Sequence, residues 1–430
     1  MLTRSIEDNE LMKGRIIGLL EYFLAFFIIL NSNTIWNYVY LKNTTTIITI
    51  VVLYLLVIVT FKDILLKREN FKRFIYLLLF ISAYNIIFIM LNDVNRIQFI
   101  IEFVVILIGL IAYNVGLINK GEGSKLLIKI SNIVVILAGI SILCYLIFTV
   151  FKIIPPSSQM FYLWGGAREI PNYYNIYYVT QPITIHGMRF IRNTGVFTEA
   201  PMYAFMLTIS VMCELFVRKN IKKVNLVILI VTILSTFSTT GILVSGVLIF
   251  CRAVMAINES KYKKVMRYVL IPILFICIAG IGGYFLKAKI HQGADNKKAS
   301  FSVRMDDFRV GFKAWEDNMI IGHGYDQFNY VQQYMNLKLR GTDIGGSSGL
   351  MALLPEGGLY LLSMYIIPML LAIGYGIKKK ESKYIIISLA LLVLITVTKI
   401  QYRYIILYFL AIGWCYLLSR GEKKQINNKI

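Results

Sequence analysis

Charge is scarce in this 430-residue chain. Asp, Glu, Lys and Arg make up 16% of it, against about 25% in soluble globular proteins, and they fall between long apolar runs. That excludes an ordinary soluble fold. Acidic residues are scarcer than basic ones, 23 against 45, for a net charge of +22. A disulfide framework is missing too. The five cysteines (Cys144, Cys213, Cys251, Cys277 and Cys415) all fall within apolar runs, without CxxC pairs, and read as small buried apolar groups. No segment repeats at a fixed period, and none is of low complexity. A cleavable signal pattern is absent: the first fifteen residues, MLTRSIEDNELMKGR, are polar, so insertion is expected to rest on the first apolar helix.

What is present is hydrophobic. Apolar residues reach 57%, with a mean hydropathy of +0.68, in runs of ~20 residues that match the ~30 Å hydrocarbon layer of a bilayer. The fold class expected is all-α: a polytopic integral membrane protein of about twelve transmembrane helices, forming one domain over 1–430. The spans expected are 15–31, 45–61, 74–91, 97–117, 131–151, 196–216, 224–239, 241–257, 268–286, 347–376, 384–398 and 402–419. The seventh and eighth are short and flank STFSTTG, where Gly241 is expected to permit a tight turn. KIQYR divides the last two.

The excess of Lys and Arg raises nucleic acid as a partner, but membrane topology accounts for it. With the N-terminus inside, every inner connection is short and basic, which sets orientation and places both termini in the cytoplasm. No nucleic-acid partner is expected. Two long loops, 152–195 and 287–346, then share the outer face with all three histidines (His186, His291 and His323). Cysteines introduced at Ser158 and Asn296 are therefore expected to react with a membrane-impermeant reagent from outside, and one at Ser260 is not. The opposite pattern inverts the topology.

The first long loop crowds Tyr162, Trp164, Tyr173, Tyr174, Tyr177 and Tyr178 into seventeen residues. They form either an interfacial aromatic belt or stacking faces for sugar rings. Arg189, Arg192 and Glu199 follow, just before a span. A guanidinium fork suits phosphate or pyrophosphate. A helix beginning near Thr198, with Pro201 in its first turn, would also favour an anion; Glu199 there either takes part or merely complements the helix dipole.

In the second long loop, Met305, Phe308, Phe312, Trp315 and Met319 recur at helical spacing. An amphipathic helix is expected, on the membrane surface or over the bundle, with this stripe inward. Arg304 and Arg309 diverge by about 140° on such a helix, so Arg304, at its start, is the ligand-directed one of the two. Asp306 and Asp307 diverge by about 100° and are expected on a solvated face, not at a metal. His323, in GHGYDQF, reads as a turn residue before it reads as a base.

These stretches together resemble the bacterial O-antigen and capsule polymerases (Wzy) and the related O-antigen ligases. RNTGVFTEAPMYA carries one family arginine, Arg192. RMDDFRVGFKAW with GHGYDQF carries the second, Arg304. SSGLMALLPEGGLYLL carries the acid–glycine helix start, at Glu356. The resemblance implies a metal-independent glycosyltransferase without a cofactor, in the bacterial cytoplasmic (inner) membrane. It would move a growing glycan from undecaprenyl pyrophosphate onto a lipid-linked repeat unit at the outer face. Arg192 and Arg304 would steady the leaving pyrophosphate. The catalytic set expected is Arg192, Arg304, Glu199 and His323. The substrate-binding set is Arg189, Arg309, Tyr173, Tyr177, Trp164, Ser347 and Glu356. Partners would be the lipid-linked substrates, membrane lipid and a chain-length regulator. One departure stands out: many members, notably the ligases, have His-Asn nine residues before the acid, where this chain has Ser347-Ser348. The base is left open among Glu199, His323 and Asp326. A ligase-type transferase and a transporter or flippase are the alternatives.

Overall fold

The computed structural model describes residues 2–92, 95–164, 167–185, 188–259, 272, 280, 300–340 and 345–418. It is mostly helical. Among the described residues seven helices are long and apolar enough to cross a membrane, and four shorter apolar helices accompany them. In chain order these eleven are α1 (Leu2–Asn31), α2 (Asn43–Val59), α3 (Arg68–Leu91), α4 (Arg96–Lys120), α5 (Lys125–Val150), α6 (Ala200–Val217), α7 (Lys223–Ser235), α8 (Thr239–Glu259), α10 (Leu350–Lys379), α11 (Ser382–Val397) and α12 (Tyr404–Cys415), with α9 (Ser300–Glu316) in the second long loop. The eleven apolar helices overlap eleven of the expected spans in order. The other, 268–286, lies outside the described residues apart from two positions.

The core is set by which helices are apolar all round, since such a helix must be buried. α6 is one: every residue from Met202 to Phe216 is buried. α12 is the other, with only Ile412 of its twelve residues incompletely buried. α12 packs against α4 and α10, and α6 packs against α5, α7 and α8. The peripheral helices instead leave apolar side chains exposed, such as Ile58, Leu79, Met90, Leu143 and Leu370, the pattern of a bundle bathed in lipid.

Charges inside the bundle are neutralised locally, as a low-dielectric interior demands. Glu21 is fully buried and pairs with Lys129 at 2.6 Å and Lys125 at 3.4 Å. Glu214 pairs with Arg218 at 2.6 Å. Lys120 meets Asp63 at 2.8 Å and Arg73 donates to the Leu418 carbonyl.

Gly241 has a different task from the one expected. The turn between α7 and α8 is made by Phe237, in the left-handed region at φ 49°. Gly241 lies within α8, where an added Cβ would sit 2.7 Å from the Ala204 Cβ. It allows α8 to approach α6.

The first long loop departs locally from an all-helical description. It forms β1 (Ser158–Tyr162), β2 (Arg168–Tyr173) and β3 (Tyr177–Tyr178) in one antiparallel sheet, and β4 (Pro182–Ile185) with β5 (Met188–Ile191) in another. Its tyrosines are the reason. Tyr162, Tyr173, Tyr177 and Tyr178 are buried. Tyr173 stacks on Phe148 at 4.5 Å, and Tyr177 shares a hydrogen bond with Thr149. Tyr173 and Tyr177 thus seat the loop on the end of α5, while Tyr162 and Tyr178 form a small core with Ile35 and Ile170 beside the segment that follows α1.

In the second long loop the expected orientation of α9 is reversed. Its buried face is Asp306, Asp307, Val310, Gly311 and Ala314, whereas Met305 and Phe312, with Met319 just beyond, are exposed. Gly311 sets the choice, because its missing side chain lets α9 lie on Met351 of α10. Asp306 and Asp307 are not solvated. The fully buried guanidinium of Arg340 spans their divergence, meeting Asp306 at 2.6 Å and Asp307 at 2.5 Å. Removing one partner of a buried pair strands the other charges, at a cost of about 3–5 kcal/mol. Arg340→Ala is therefore expected to lower the thermal unfolding midpoint sharply, and an unchanged midpoint refutes this account of the loop.

Candidate functional site

Two segments far apart in sequence deliver arginines to one place. The strand leading into α6 is fixed on both sides. Ile35 N–H donates to Val196 O and Thr198 N–H to Asn33 O, tying it to the end of α1. Asn193 N–H donates to Ser235 O, tying it to the α7–α8 turn. Arg192 is held between: its backbone N–H donates to Gln181 O, its Nε to Thr236 O at 2.8 Å, and an Nη to Gln181 Oε1 at 3.3 Å. Arg304 reaches the same place from the start of α9, with its Nη1 toward the Val397 carbonyl at 3.4 Å.

Between them lies Glu199, the residue just before α6. Its side chain makes no capping bond to the helix. It lies within electrostatic reach of Arg192, Arg304 and Arg403 together, and Trp164 donates to it. Burial pushes its carboxyl above the ordinary range, while the three arginines pull it back. Burial lowers Arg192 to about 10, against the pull of Glu199, so it remains a cation at neutral pH; burial also shifts Arg304 downward, against Glu199 and Asp307. Among the described residues none of the three arginines forms an ion pair within 4 Å. Arg304 also faces Asp307, which is already paired with Arg340, and Arg403 also faces Glu102 and Asp326; around Glu199 itself three guanidinium groups outnumber one carboxylate, the arrangement that receives a polyanion.

Pro201 takes the second position of α6, as expected from the sequence, but the helix start is not an open anion cradle. The Ala200 N–H is already bonded to Gln181 Oε1. Gln181 therefore acts as a bracket joining Arg192 to α6.

Arg403 was not singled out from the sequence. It precedes α12 inside KIQYR, which reads as a divider between spans. Its Nη1 donates to Asn31 O at 3.2 Å, and its Nε has no partner. It borders a cavity of about 780 Å³. The walls of the cavity come from the end of α1 (Asn31 to Tyr38), from α4 (Gln98 and Glu102), from the first loop (Phe161 to Trp164) and from Tyr325, Asp326 and Tyr402. Glu102 sits on a wide π-helical turn, Ile100–Ile106, a distortion that re-aims side chains and is frequent at functional sites. Both of its oxygens are engaged, by Gln98 and by the Tyr325 hydroxyl.

Glu356 lies where α10 breaks. Gly358 has φ 58° and ψ −158°, a conformation open to glycine alone. The backbone groups that the break frees are taken by the second loop: His323 N–H donates to Pro355 O, Gly324 N–H to Glu356 O, Leu359 N–H to Met319 O and Tyr360 N–H to Ile320 O. Glu356 Oε2 accepts from the Tyr402 hydroxyl and the Asp326 N–H, while its Oε1 is buried without a partner. Both polar atoms of Gln401 are also unpartnered. Orphaned buried polar atoms are costly, and several gather at this end of the bundle.

The other residues singled out from the sequence are placed elsewhere. Arg309 pairs with Asp306 at 2.7 Å and donates to Tyr334 O, away from Arg192. Arg189 is exposed on β5. His323 is stacked on Tyr330 and its Nε2 contacts Ala314 O, which makes it a clasp within the second loop. Ser347 donates from its N–H and Oγ to Asp307 Oδ2, so this position anchors the loop. Tyr173 and Tyr177 are loop core. Trp164 lines the cavity, edge-on to Tyr38.

Comparison with known proteins bears on this end of the molecule. Residues 224–366 match the family model described as O-antigen ligase. The matched stretch contains α9, with Arg304, and the break at Glu356. It supports placement in the O-antigen ligase/polymerase superfamily and a glycan-transferring enzyme of membrane polysaccharide synthesis. No curated protein and no solved structure matches the chain.

Proposed function

We propose that this protein is a polysaccharide polymerase of the bacterial cytoplasmic membrane. Its donor is a growing glycan on undecaprenyl pyrophosphate, and its acceptor is one lipid-linked repeat unit. The observation that carries the reading is the convergence of Arg192, Arg304 and Arg403 on Glu199 without ion-pair partners among the described residues. The acceptor hydroxyl attacks the anomeric carbon of the donor, and lipid pyrophosphate leaves with the bonding electron pair. Fixed cations stabilise the negative charge that develops on the leaving oxygen, and they need no reorganisation during the reaction. The remaining negative charge at the site, on Glu199, limits how tightly the pyrophosphate is held after it leaves. The proposed orientation puts both long loops, and hence this site, at the outer face, where two lipid-anchored substrates meet by lateral diffusion.

The family description favours a second reading, transfer of the finished glycan to a different acceptor as a ligase. One experiment separates the two. Purified protein in bilayer nanodiscs is given only the lipid-linked repeat unit. A polymerase yields a ladder of glycans still carried on pyrophosphate lipid. A ligase leaves the repeat units unjoined until its separate acceptor is added. No transfer from pyrophosphate lipid under either condition refutes both.

A further inference from the structure

The reading above places the leaving pyrophosphate and leaves open where the attacking sugar sits and what removes its proton. Resting on that reading, we propose that the cavity beside Arg403 is the acceptor-sugar site, and that Asp326 is the general base that takes the proton of the attacking hydroxyl.

The cavity has the chemistry for sugar rings. At about 780 Å³ it falls in the size range of pockets that enclose a small organic ligand. Trp164, Tyr38 and Tyr402 offer flat apolar faces with polar edges, and Asn37, Asn43 and Gln98 offer paired donors and acceptors for vicinal hydroxyls. Its wall balances Glu102 and Asp326 against Lys42 and Arg403, so it lacks the excess of positive charge that a pyrophosphate needs. The two sites adjoin at Arg403, which lies within electrostatic reach of both Glu199 and Asp326. An acceptor in the cavity would therefore approach a donor whose pyrophosphate sits among the arginines.

Elimination among the acidic groups points to one carboxylate. Glu102 has both oxygens engaged by Gln98 and Tyr325. Glu356 has one oxygen tied to Tyr402 and the Asp326 N–H and the other buried without a partner, and it is absent from the cavity wall. Glu199 sits among three arginines, accepts a bond from Trp164 and is absent from the cavity wall. His323 contacts Ala314 O through its Nε2. Asp326 lines the cavity, and among the described residues its carboxylate accepts no hydrogen bond. Its backbone is held in the left-handed region at φ 59°, a strained conformation of the kind that recurs at functional sites. The Asp326 N–H bond to Glu356 and the Tyr325 N–H bond to Asn92 fix that turn. Partial burial pushes the carboxyl above its ordinary range, against Lys399 and Arg403.

The step balances as an ordinary substitution. The acceptor O–H bond breaks and its proton passes to an Asp326 carboxylate oxygen. The new O–C bond forms at the anomeric carbon, and the C–O bond to pyrophosphate breaks with its electron pair. The proton then returns to solvent.

The test uses the full-length protein in nanodiscs with separately varied donor and acceptor lipids. Asp326→Asn keeps the shape and tolerates the left-handed backbone. It is expected to lower kcat about 10²- to 10⁴-fold, the range for a lost general base, with little change in the acceptor KM. An acceptor whose attacking hydroxyl is replaced by a thiol ionises without a base and is expected to recover most of that loss. Asn37, which lines the cavity and whose Oδ1 has no partner, probes the cavity alone: Asn37→Ala is expected to raise KM for the acceptor and not for the donor. Asp326→Asn that keeps wild-type kcat, or that loses hydroxyl and thiol acceptors equally, overturns the base. Asn37→Ala that raises only the donor KM overturns the cavity assignment. If the wild-type protein itself transfers nothing from pyrophosphate lipid, it is the underlying reading that fails.

Discussion

Arg192→Ala and Arg304→Ala are each expected to abolish long glycan chains while single lipid-linked repeat units persist. Removing one group that stabilises a developing negative charge typically costs about 10²–10³ in rate. Each arginine is already positioned before any substrate arrives: Arg192 by Gln181 and Thr236, Arg304 by the start of α9 and Val397. The loss should therefore fall on kcat. Arg192→Lys is expected to recover only a small part, since an ammonium keeps the charge without the planar fork and cannot reach both Thr236 O and Gln181. The double variant should be little worse than either single one, because groups that act as a unit are not additive. Glycan ladders from membranes of cells carrying each variant, with protein amounts matched, are the measurement. Normal ladders from both single variants sink the assignment. Arg309→Ala is the internal control: its guanidinium serves Asp306 and Tyr334, and chain length should hold while stability falls modestly.

The second large effect is structural. Gly358→Ala is expected to prevent accumulation of folded protein. An alanine at φ 58° carries a backbone penalty of about 1–2 kcal/mol. Its Cβ would also lie 2.4 Å from the Ile320 carbonyl carbon and oxygen. Those are backbone atoms already bonded to the other side of the break, so they cannot swing aside as a side-chain tip does, and overpacking adds about 1–3 kcal/mol. Gly374→Ala, in the same helix, has nothing within 4 Å of the added carbon and should be neutral. The two variants are compared by yield of monodisperse protein and by thermal unfolding midpoint. Equal behaviour of the pair removes the argument that the break at Gly358 is required.

Much of the architecture is written in the hydropathy pattern. A run of apolar residues has few options other than a helix in a bilayer, so eleven of the spans read from the sequence have a helical counterpart in place. Arg192 and Arg304 were singled out through the resemblance of the stretches around them, and the fold brings both within electrostatic reach of Glu199. What stayed hidden depends on tertiary contact. The stripe Met305–Phe312–Met319 has helical periodicity, but periodicity cannot say which face a neighbour takes, and Gly311 against Met351 decided it. Asp306 and Asp307 looked solvated because their partner, Arg340, is more than thirty residues away. Arg403 was concealed by its position at a helix start, where a basic residue ordinarily reads as a topology signal. The tyrosines of the first loop were misread because their composition fits a belt, a binding surface and a small core equally well.

The break in α10 has a consequence for how this protein can be altered. Residues 319–324 and 355–360 supply each other's backbone partners across Gly358, much as two strands do, although one belongs to a loop and the other to an apolar helix. Neither stretch can be exchanged alone without leaving unpaired peptide groups at the edge of the bilayer. A chimera that borrows the second loop from a relative, in order to change which sugar is joined, must carry Pro355–Tyr360 with it. The unit of substitution is thus a loop together with the top of one helix, and substrate range and helix geometry would be inherited as a single module.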